Sequence, residues 1–202
     1  MWFRKTSLVL YAMATFPGGE FAYGQSTASS TQPEFTFRNR MKWVGKSAIS
    51  TNRLAGYAFS SALATDRNKP KEYGPHWDGY GKRIGLRLST GATGLLMESS
   101  IGAVWGEDPR YRHVASGSRV KARLWNAVKM SFMAKNAQGK TVPAYARYIA
   151  VPANSFASNA WRPDSQARAE EALRRIPLSF MDRIIANAVT EFLPDLMKPF
   201  HH

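Results

Sequence analysis

The spacing of apolar and polar positions predicts helices along most of the chain. The clearest amphipathic helix is Ser118 to Ala134, where apolar residues recur at intervals of three and four and basic residues fill the remaining positions. Its apolar stripe consists of Val120, Leu124, Ala127, Val128 and Phe132. The same spacing predicts helix between Met41 and Ala64, and one or two helices over 168–197. Pro177 is expected to break this last segment and Pro194 to end it.

The segment from Ile84 to Trp105 fits two patterns. Ile84, Leu86 and Leu88 alternate with smaller or polar residues, as in a strand. Apolar residues further along also fit a long helix with a glycine-rich small face, and this helix is the favoured interpretation. A further helix is predicted over 144–161, interrupted near Pro152.

Loops are predicted wherever glycine, proline and polar residues cluster. These segments are 66–83, 106–112 and the turn 136–140. The fold class that follows is mainly α, a single domain of amphipathic and small-residue-rich helices joined by long ordered loops. A length of 202 residues suits one domain, and the sequence contains no convincing repeat.

The N-terminus has the pattern of a cleavable signal peptide. Arg4 and Lys5 precede a short apolar stretch, and Ala22 and Gly24 supply small residues for cleavage after Gly24. The predicted organisation is therefore a signal peptide at 1–24, a flexible leader at 25–40 and a single helical envelope domain at 41–202. The apolar stretch is too short for a membrane span, which needs about 20 residues.

The composition excludes some chemistry and points to anionic partners. The chain has no cysteine, so thiol nucleophiles and thiolate metal sites are excluded. Its 28 Lys and Arg outnumber 14 Asp and Glu, giving a net charge of +14. Outside the cytoplasm, such a charge favours anionic lipid, lipopolysaccharide or acidic polysaccharide as partners. Nucleic acid is disfavoured as a partner, because the predicted export would take the protein away from the nucleic acid of the cell. The sequence also contains no nucleic-acid-binding signature.

Four motifs occur in a characteristic order. They are Gly79–Arg83 (GYGKR), Glu107–Tyr111 (EDPRY), Ser158–Trp161 (SNAW) and Glu191–Asp195 (EFLPD). Over residues 40–197 the chain resembles a family of exported bacterial proteins that carry a signal peptide, a GYGKR-type loop, a DPRY motif and an EFWPD-type end. Leu193 stands where that family would have Trp. No activity is established for the family, so the resemblance implies export and a single domain but no reaction.

Catalytic chemistry has little support in the sequence. His76, Asp78 and Asp108 are the catalytic candidates, and a hydrolytic site would combine His76 and Asp78 with a serine such as Ser99, although their spacing does not support it. No G-x-S-x-G elbow, phosphate loop or H-E-x-x-H motif is present. No metal or cofactor is expected. A local structural pair is the favoured interpretation of Asp108 and Arg110, so a binding or structural role is favoured over an enzyme.

Basic residues near the motifs and on the amphipathic helix are the candidate anion contacts. They are Lys82, Arg83, Arg110, Arg119, Arg123 and Lys129. We expect an exported protein, periplasmic or associated with the outer membrane, with a structural or binding role at a membrane surface or in an envelope protein complex. The alternative is a periplasmic enzyme that acts on an anionic envelope polymer or lipid.

Overall fold

The structure, a computed structural model, describes residues 36–114 and 118–197. The predicted signal peptide and most of the predicted leader lie outside these residues. The first described helix, α1, spans Phe37–Ala48 and begins inside the segment that we assigned to the leader. Its first turn is capped by Thr36, whose hydroxyl accepts a hydrogen bond from the Asn39 backbone.

Helices and one small hairpin make up the rest of the described chain. After α1 come α2 (Thr51–Asp66), α3 (Trp77–Val104), α4 (Val120–Phe132), α5 (Tyr145–Ala157) and α6 (Ala169–Met197). Short 3-10 helices occupy Lys71–Tyr73 and Ser158–Trp161. The strands β1 (Met133–Lys135) and β2 (Thr141–Pro143) form an antiparallel hairpin around the predicted turn at 136–140. The prediction of a mainly α, single-domain fold is confirmed.

The single helical stretch predicted over 41–64 is two helices. α1 ends at Ala48 and α2 starts at Thr51. Both the backbone N–H and the hydroxyl of Ser50 bond to the Ser47 carbonyl. A serine that bonds locally in this way competes with helix continuation, which explains the break.

The predicted loop at 66–83 ends earlier than expected, because α3 already begins at Trp77. Clustered glycines favour a loop in the sequence, but Gly79 and Gly81 both lie within α3. A Cβ atom on Gly79 would lie 2.3 Å from the Tyr73 carbonyl oxygen, so this glycine permits close packing against the preceding segment. The helix interpretation of 84–105 is confirmed and the strand interpretation is wrong.

Prolines do not interrupt the later helices. Pro152 lies within α5, and both Pro177 and Pro194 lie within α6. The predicted breaks are therefore wrong. Contacts on both sides of Pro177 hold α6 in place: Arg175 donates to the Gln166 and Ser155 carbonyls, and Arg183 bonds to Glu98. Tertiary contacts thus outweigh the backbone hydrogen bond that a proline removes.

Helix α3 lies at the centre of the bundle and contacts α1, α2 and α5, while α6 packs on α4 and α5. Small side chains allow close approach at these interfaces. A Cβ on Gly91, for example, would lie 1.9 Å from the Tyr57 hydroxyl of α2. A small apolar cluster of Val44, Ala48 and Leu95 joins α1 to α3.

Many charged side chains are buried in this fold, and many large apolar side chains are exposed. Buried charged side chains are Arg40, Arg53, Arg83, Arg87, Glu98, Glu107, Asp108, Arg147, Arg162, Arg175, Asp182, Arg183 and Glu191. Large apolar side chains on every described α-helix are exposed instead. Since charged residues are seldom fully buried unless paired, the fold depends on how each buried charge is satisfied.

Among residues 36–114 and 118–197, no helix combines the length and apolar content needed to cross a bilayer.

Candidate functional site

Helix α4 turns most of its predicted apolar stripe outward. Val120, Leu124 and Phe132 are exposed, Val128 is half-buried, and only Ala127 of that set is buried. The neighbouring Trp125 is 66% exposed. The basic helix of the sequence prediction is present over 120–132, but its large apolar side chains do not contribute to the core.

The opposite side of α4 explains this orientation. The Asn187 amide of α6 donates to the Ala127 carbonyl at 3.1 Å and to the Ser131 hydroxyl at 2.9 Å. Small residues at 127 and 131 let α6 approach closely enough for these bonds. A polar contact between helices therefore fixes the small side of α4 inward and leaves the large side outward.

The outward side of α4 continues onto α5 and α6. The Phe132 and Phe180 rings stack with centroids 5.4 Å apart, and the Tyr148 ring lies 6.0 Å from Phe180. The Tyr148 hydroxyl donates to the Phe132 carbonyl at 2.7 Å. We define the outer apolar face as Leu124, Trp125, Phe132, Tyr148, Ile149, Phe180 and Met181, most of which are exposed.

Cations border the outer apolar face. Lys121 and Lys129 are exposed on α4, each one helical turn from Trp125, and Arg119 is exposed at the helix start. Segment 119–135 contains no Asp or Glu. Of the predicted anion contacts, Arg119 and Lys129 therefore lie at an exposed, wholly basic edge of an apolar surface.

The side chains of the other predicted anion contacts interact with groups of the protein itself. Lys82 pairs with Asp78 at 3.5 Å, with both side chains largely exposed. Arg110 forms a two-pronged ion pair with Asp108, with Nη2 to Oδ2 at 2.7 Å. This last pair confirms the local interaction that the sequence favoured.

Arg123 joins α4 to α6. It bonds to Glu191 at 3.3 Å and to Asp195, and its guanidinium lies 4.3 Å from the centroid of the Phe192 ring. The hydrogen bond to Asp195 is the main reason that its pKa is raised. Glu191 also accepts from the Tyr111 hydroxyl at 2.8 Å. Burial and this bond raise the pKa of the Tyr111 phenol above its ordinary value.

Arg83 is buried and does not face an external anion. Its guanidinium donates to the carbonyls of Lys69, Pro70 and Gly74, each at 2.8 Å, and to the Thr65 hydroxyl. Burial lowers its pKa. Arg83 therefore holds the 69–74 segment against α3.

The three catalytic candidates do not form one site. Asp78 lies in the first turn of α3, His76 immediately precedes that helix, and Asp108 follows its other end. A helix of 28 residues is about 42 Å long, so Asp108 is remote from the other two. Ser99 is buried near the far end of α3, roughly 30 Å along the helix from Asp78. The structure therefore does not assemble the hydrolytic site considered from the sequence.

The Asp108 carboxylate forms ion pairs with Arg110 and Arg112. Burial alone would raise its pKa, but hydrogen bonds and charge from Arg110, with a bond from Arg112, hold that pKa below its usual value. Its carboxylate is thus a charged structural partner.

His76 does line a cavity, of about 410 Å³, together with Ala62, Thr65, Pro75, Trp77 and Tyr80. The cavity is open and largely aromatic. No carboxylate is among the residues that line this cavity. Within residues 36–114 and 118–197, no group of three or more His, Asp or Glu side chains is arranged to hold a metal ion.

Sequence analysis missed two sets of buried residues. Glu98 lies between Arg147, at 2.9 Å, and Arg183 in the centre of the bundle. Arg87, Arg162 and Arg175 are buried in another region and form no ion pair within the described chain. The sequence did offer one signal for this burial. Glu98 and Arg87 are charged residues within a predicted helix that consists mainly of small and apolar residues.

Comparisons with protein-family models, with curated proteins and with solved structures each found no match to this chain.

Proposed function

We propose that this protein is an exported cell-envelope protein with a structural or binding role, and that it binds an anionic membrane surface through its outer apolar face. The observation that carries the proposal is the set of exposed apolar side chains on α4, α5 and α6, whose rings meet at Phe132, Tyr148 and Phe180. The predicted signal peptide supports the export part of this proposal.

Physical chemistry favours lipid as the partner of this surface. Exposed apolar area costs about 25 cal/mol per Å², and entry into the acyl-chain boundary removes that cost. Anionic headgroups attract each nearby Lys or Arg by about 1 kcal/mol. Trp125 and Tyr148 also have the amphipathic side chains that lie well between headgroups and acyl chains.

The test is sedimentation of the purified mature chain with vesicles of phosphatidylcholine, alone or mixed with phosphatidylglycerol. The double variant Leu124→Ser/Trp125→Ser should lose about tenfold or more in binding to the mixed vesicles, because 1.4 kcal/mol corresponds to tenfold. Leu54→Ser/Trp77→Ser is the matched control, since both side chains are exposed but lie on α2 and at the start of α3.

Equal binding by the two double variants would contradict the assignment of the outer apolar face. Replacing Arg119, Lys121 and Lys129 together by Gln should weaken binding to the anionic vesicles only, and added salt should have the same effect. Mass spectrometry of the mature protein should find Gln25 at the N-terminus, and an intact Met1 would contradict export by cleavage.

The enzyme alternative gains no support from the geometry. Its candidates, His76, Asp78 and Asp108, are divided between the two ends of α3. We therefore propose no reaction.

A further inference from the structure

The cavity beside His76 lies between the end of α2 and the start of α3 and shares no residue with the outer apolar face. Its volume of about 410 Å³ falls in the range of about 300–1,000 Å³ that suits small ligands. We call it the aromatic cavity. Its α2 side consists of Ala62 and Thr65, and its α3 side consists of Pro75, His76, Trp77 and Tyr80.

Two aromatic rings meet at this cavity almost at a right angle. Trp77 and Tyr80 are three residues apart in the first turn of α3, so their side chains lie on the same side of the helix. Their ring centroids are 5.6 Å apart and the ring planes differ by 88°. Trp77 is 85% exposed, so the protein leaves most of its ring uncovered. The negative face of such a ring attracts C–H groups of a ligand.

The polar atoms that line the cavity differ in how far the protein itself satisfies them. The Thr65 hydroxyl is satisfied, because it donates to a carbonyl of its own helix at 2.8 Å and accepts from Arg83 at 3.4 Å. The His76 imidazole, the indole N–H of Trp77 and the Tyr80 hydroxyl form no hydrogen bond with any residue that the structure describes. These three side chains can therefore bond to a ligand without breaking a contact of the fold.

Arg83 fixes the two sides of the cavity relative to each other. One of its guanidinium nitrogens donates both to the Thr65 hydroxyl of α2 and, at 2.8 Å, to the Gly74 carbonyl immediately before Pro75. Gly79 allows this close packing, since a Cβ there would lie 2.4 Å from the same carbonyl oxygen. The cavity therefore exists before a ligand binds, which lowers the entropic cost of binding.

The lining favours one class of ligand over others. Neither a carboxylate nor a Lys or Arg is among the lining residues, so a charged ligand would lose hydration there without meeting an opposite charge. A wholly apolar ligand would cover the polar atoms of His76, Trp77 and Tyr80 without bonding to them. A sugar ring is neutral, has a C–H face that can stack on an aromatic ring, and has hydroxyls at its edge for the polar atoms.

We propose that the aromatic cavity binds a neutral saccharide, with a sugar ring stacked on Trp77 and its hydroxyls bonded to His76 and Tyr80. The saccharide site and the outer apolar face use different residues, so either proposal can fail without the other.

The first experiment titrates the whole mature chain with maltotetraose, cellotetraose and tetraacetylchitotetraose, neutral oligosaccharides that differ in linkage and in acetamido groups. Isothermal titration calorimetry should show saturable binding of at least one of them, with a dissociation constant of about 1 mM or below. Saturation-transfer NMR should find the strongest transfer at the C–H protons of one sugar face, as stacking requires. No saturable binding of any of these oligosaccharides up to about 10 mM would overturn the proposal.

Salt tests whether the ligand is bound as a neutral molecule. The dissociation constant should be the same at about 0.05 M and about 1 M salt, because screening acts only between charges. A large loss of oligosaccharide affinity at the higher salt concentration would overturn the neutral contact that we propose.

Variants assign the site. Trp77→Ala should lower the affinity about tenfold or more, because it removes the stacking ring, and Tyr80→Phe should lower it about threefold by removing one hydroxyl. Trp125→Ala is the matched control, since Trp125 is also exposed, at 66%, but does not line the cavity. An unchanged affinity in Trp77→Ala, or an equal loss in Trp125→Ala, would overturn the assignment.

Choline tests the competing occupant, because exposed aromatic rings also attract quaternary ammonium ions. We expect choline at the same concentration to leave the bound oligosaccharide in place, since no carboxylate lines the cavity. Displacement of the oligosaccharide by choline would overturn the preference for a neutral ligand. Trp77→Ala should still bind the anionic vesicles, which contain no sugar, and this result separates the saccharide site from the membrane surface.

Discussion

The two halves of helix α3 satisfy buried arginines in opposite ways. Toward its C-terminal end, a carboxylate neutralises them, because Glu98 pairs with both Arg147 and Arg183. Toward its N-terminal end, Arg83 and Arg87 bond to carbonyl and hydroxyl oxygens only. The chain has 17 Arg and only 14 Asp and Glu, so a separate carboxylate for every arginine is impossible. The comparison teaches that a buried arginine is satisfied here in two ways, by a carboxylate or by several neutral oxygen atoms.

The largest effect is expected in the C-terminal half of α3. Glu98→Gln leaves Arg147 and Arg183 buried without a carboxylate, so we expect a loss of about 3–5 kcal/mol in the free energy of unfolding. Urea unfolding followed by circular dichroism measures it. Glu171→Gln, which removes an exposed ion pair with Arg174, should cost less than about 1 kcal/mol. Similar losses in the two variants would show that the Glu98 network is not the centre of the fold.

A smaller effect is expected in the N-terminal half of α3, where backbone carbonyls replace carboxylates. Gly79→Ala places a Cβ 2.3 Å from the Tyr73 carbonyl and 2.4 Å from the Gly74 carbonyl. We expect a loss of about 1–3 kcal/mol, because the segment held by Arg83 must move. Gly81→Ala, with nothing within 4 Å of the added atom, should instead stabilise the helix by about 0.5–1 kcal/mol. Urea unfolding followed by circular dichroism measures both changes. A gain in the free energy of unfolding for both variants would contradict the close packing at Gly79.

The smallest effect is a dependence on pH at Asp108. Its pKa is lowered in the folded state, so its contribution to stability is fully present above its ordinary pKa of 3.8. That contribution is lost as the pH falls through the lowered folded value. Asp108→Asn should therefore be less stable than wild type by about 1–2 kcal/mol at pH 7, and the gap should shrink below about pH 4. Urea midpoints between about pH 7 and pH 2 measure this, and a constant gap would contradict the ion pair.

The fold class followed from the sequence because helical periodicity and small-residue spacing are local signals. The boundaries of helices did not follow in the same way. Whether Gly79 breaks a helix or allows close approach depends on Tyr73 and Gly74 across the interface. Pro177 continues a helix because Arg175 and Arg183 anchor both sides of it. Tertiary contacts of this kind produce no periodic pattern in the amino-acid sequence.

The candidate surface was predicted in part. The basic, apolar character of 118–134 was visible, and the Asp108–Arg110 pair was foreseen. The sequence did not predict which side of α4 is buried, because that depends on Asn187, more than fifty residues away in the sequence. The burial of Arg162 and Arg175 was also missed, because nothing in the sequence distinguishes them from a solvated cation such as Arg174.

The contacts of α6 have a consequence for the timing of folding. Tyr111, Arg123 and the small side of α4 find their partners at Glu191 and Asn187. On the ribosome, that part of the bundle therefore cannot close until residues 187–191 have emerged. Contacts between such distant positions slow folding, because the intervening chain must first be ordered. The export that we propose would benefit from such a delay, because translocation of an unfolded chain competes with completion of the fold.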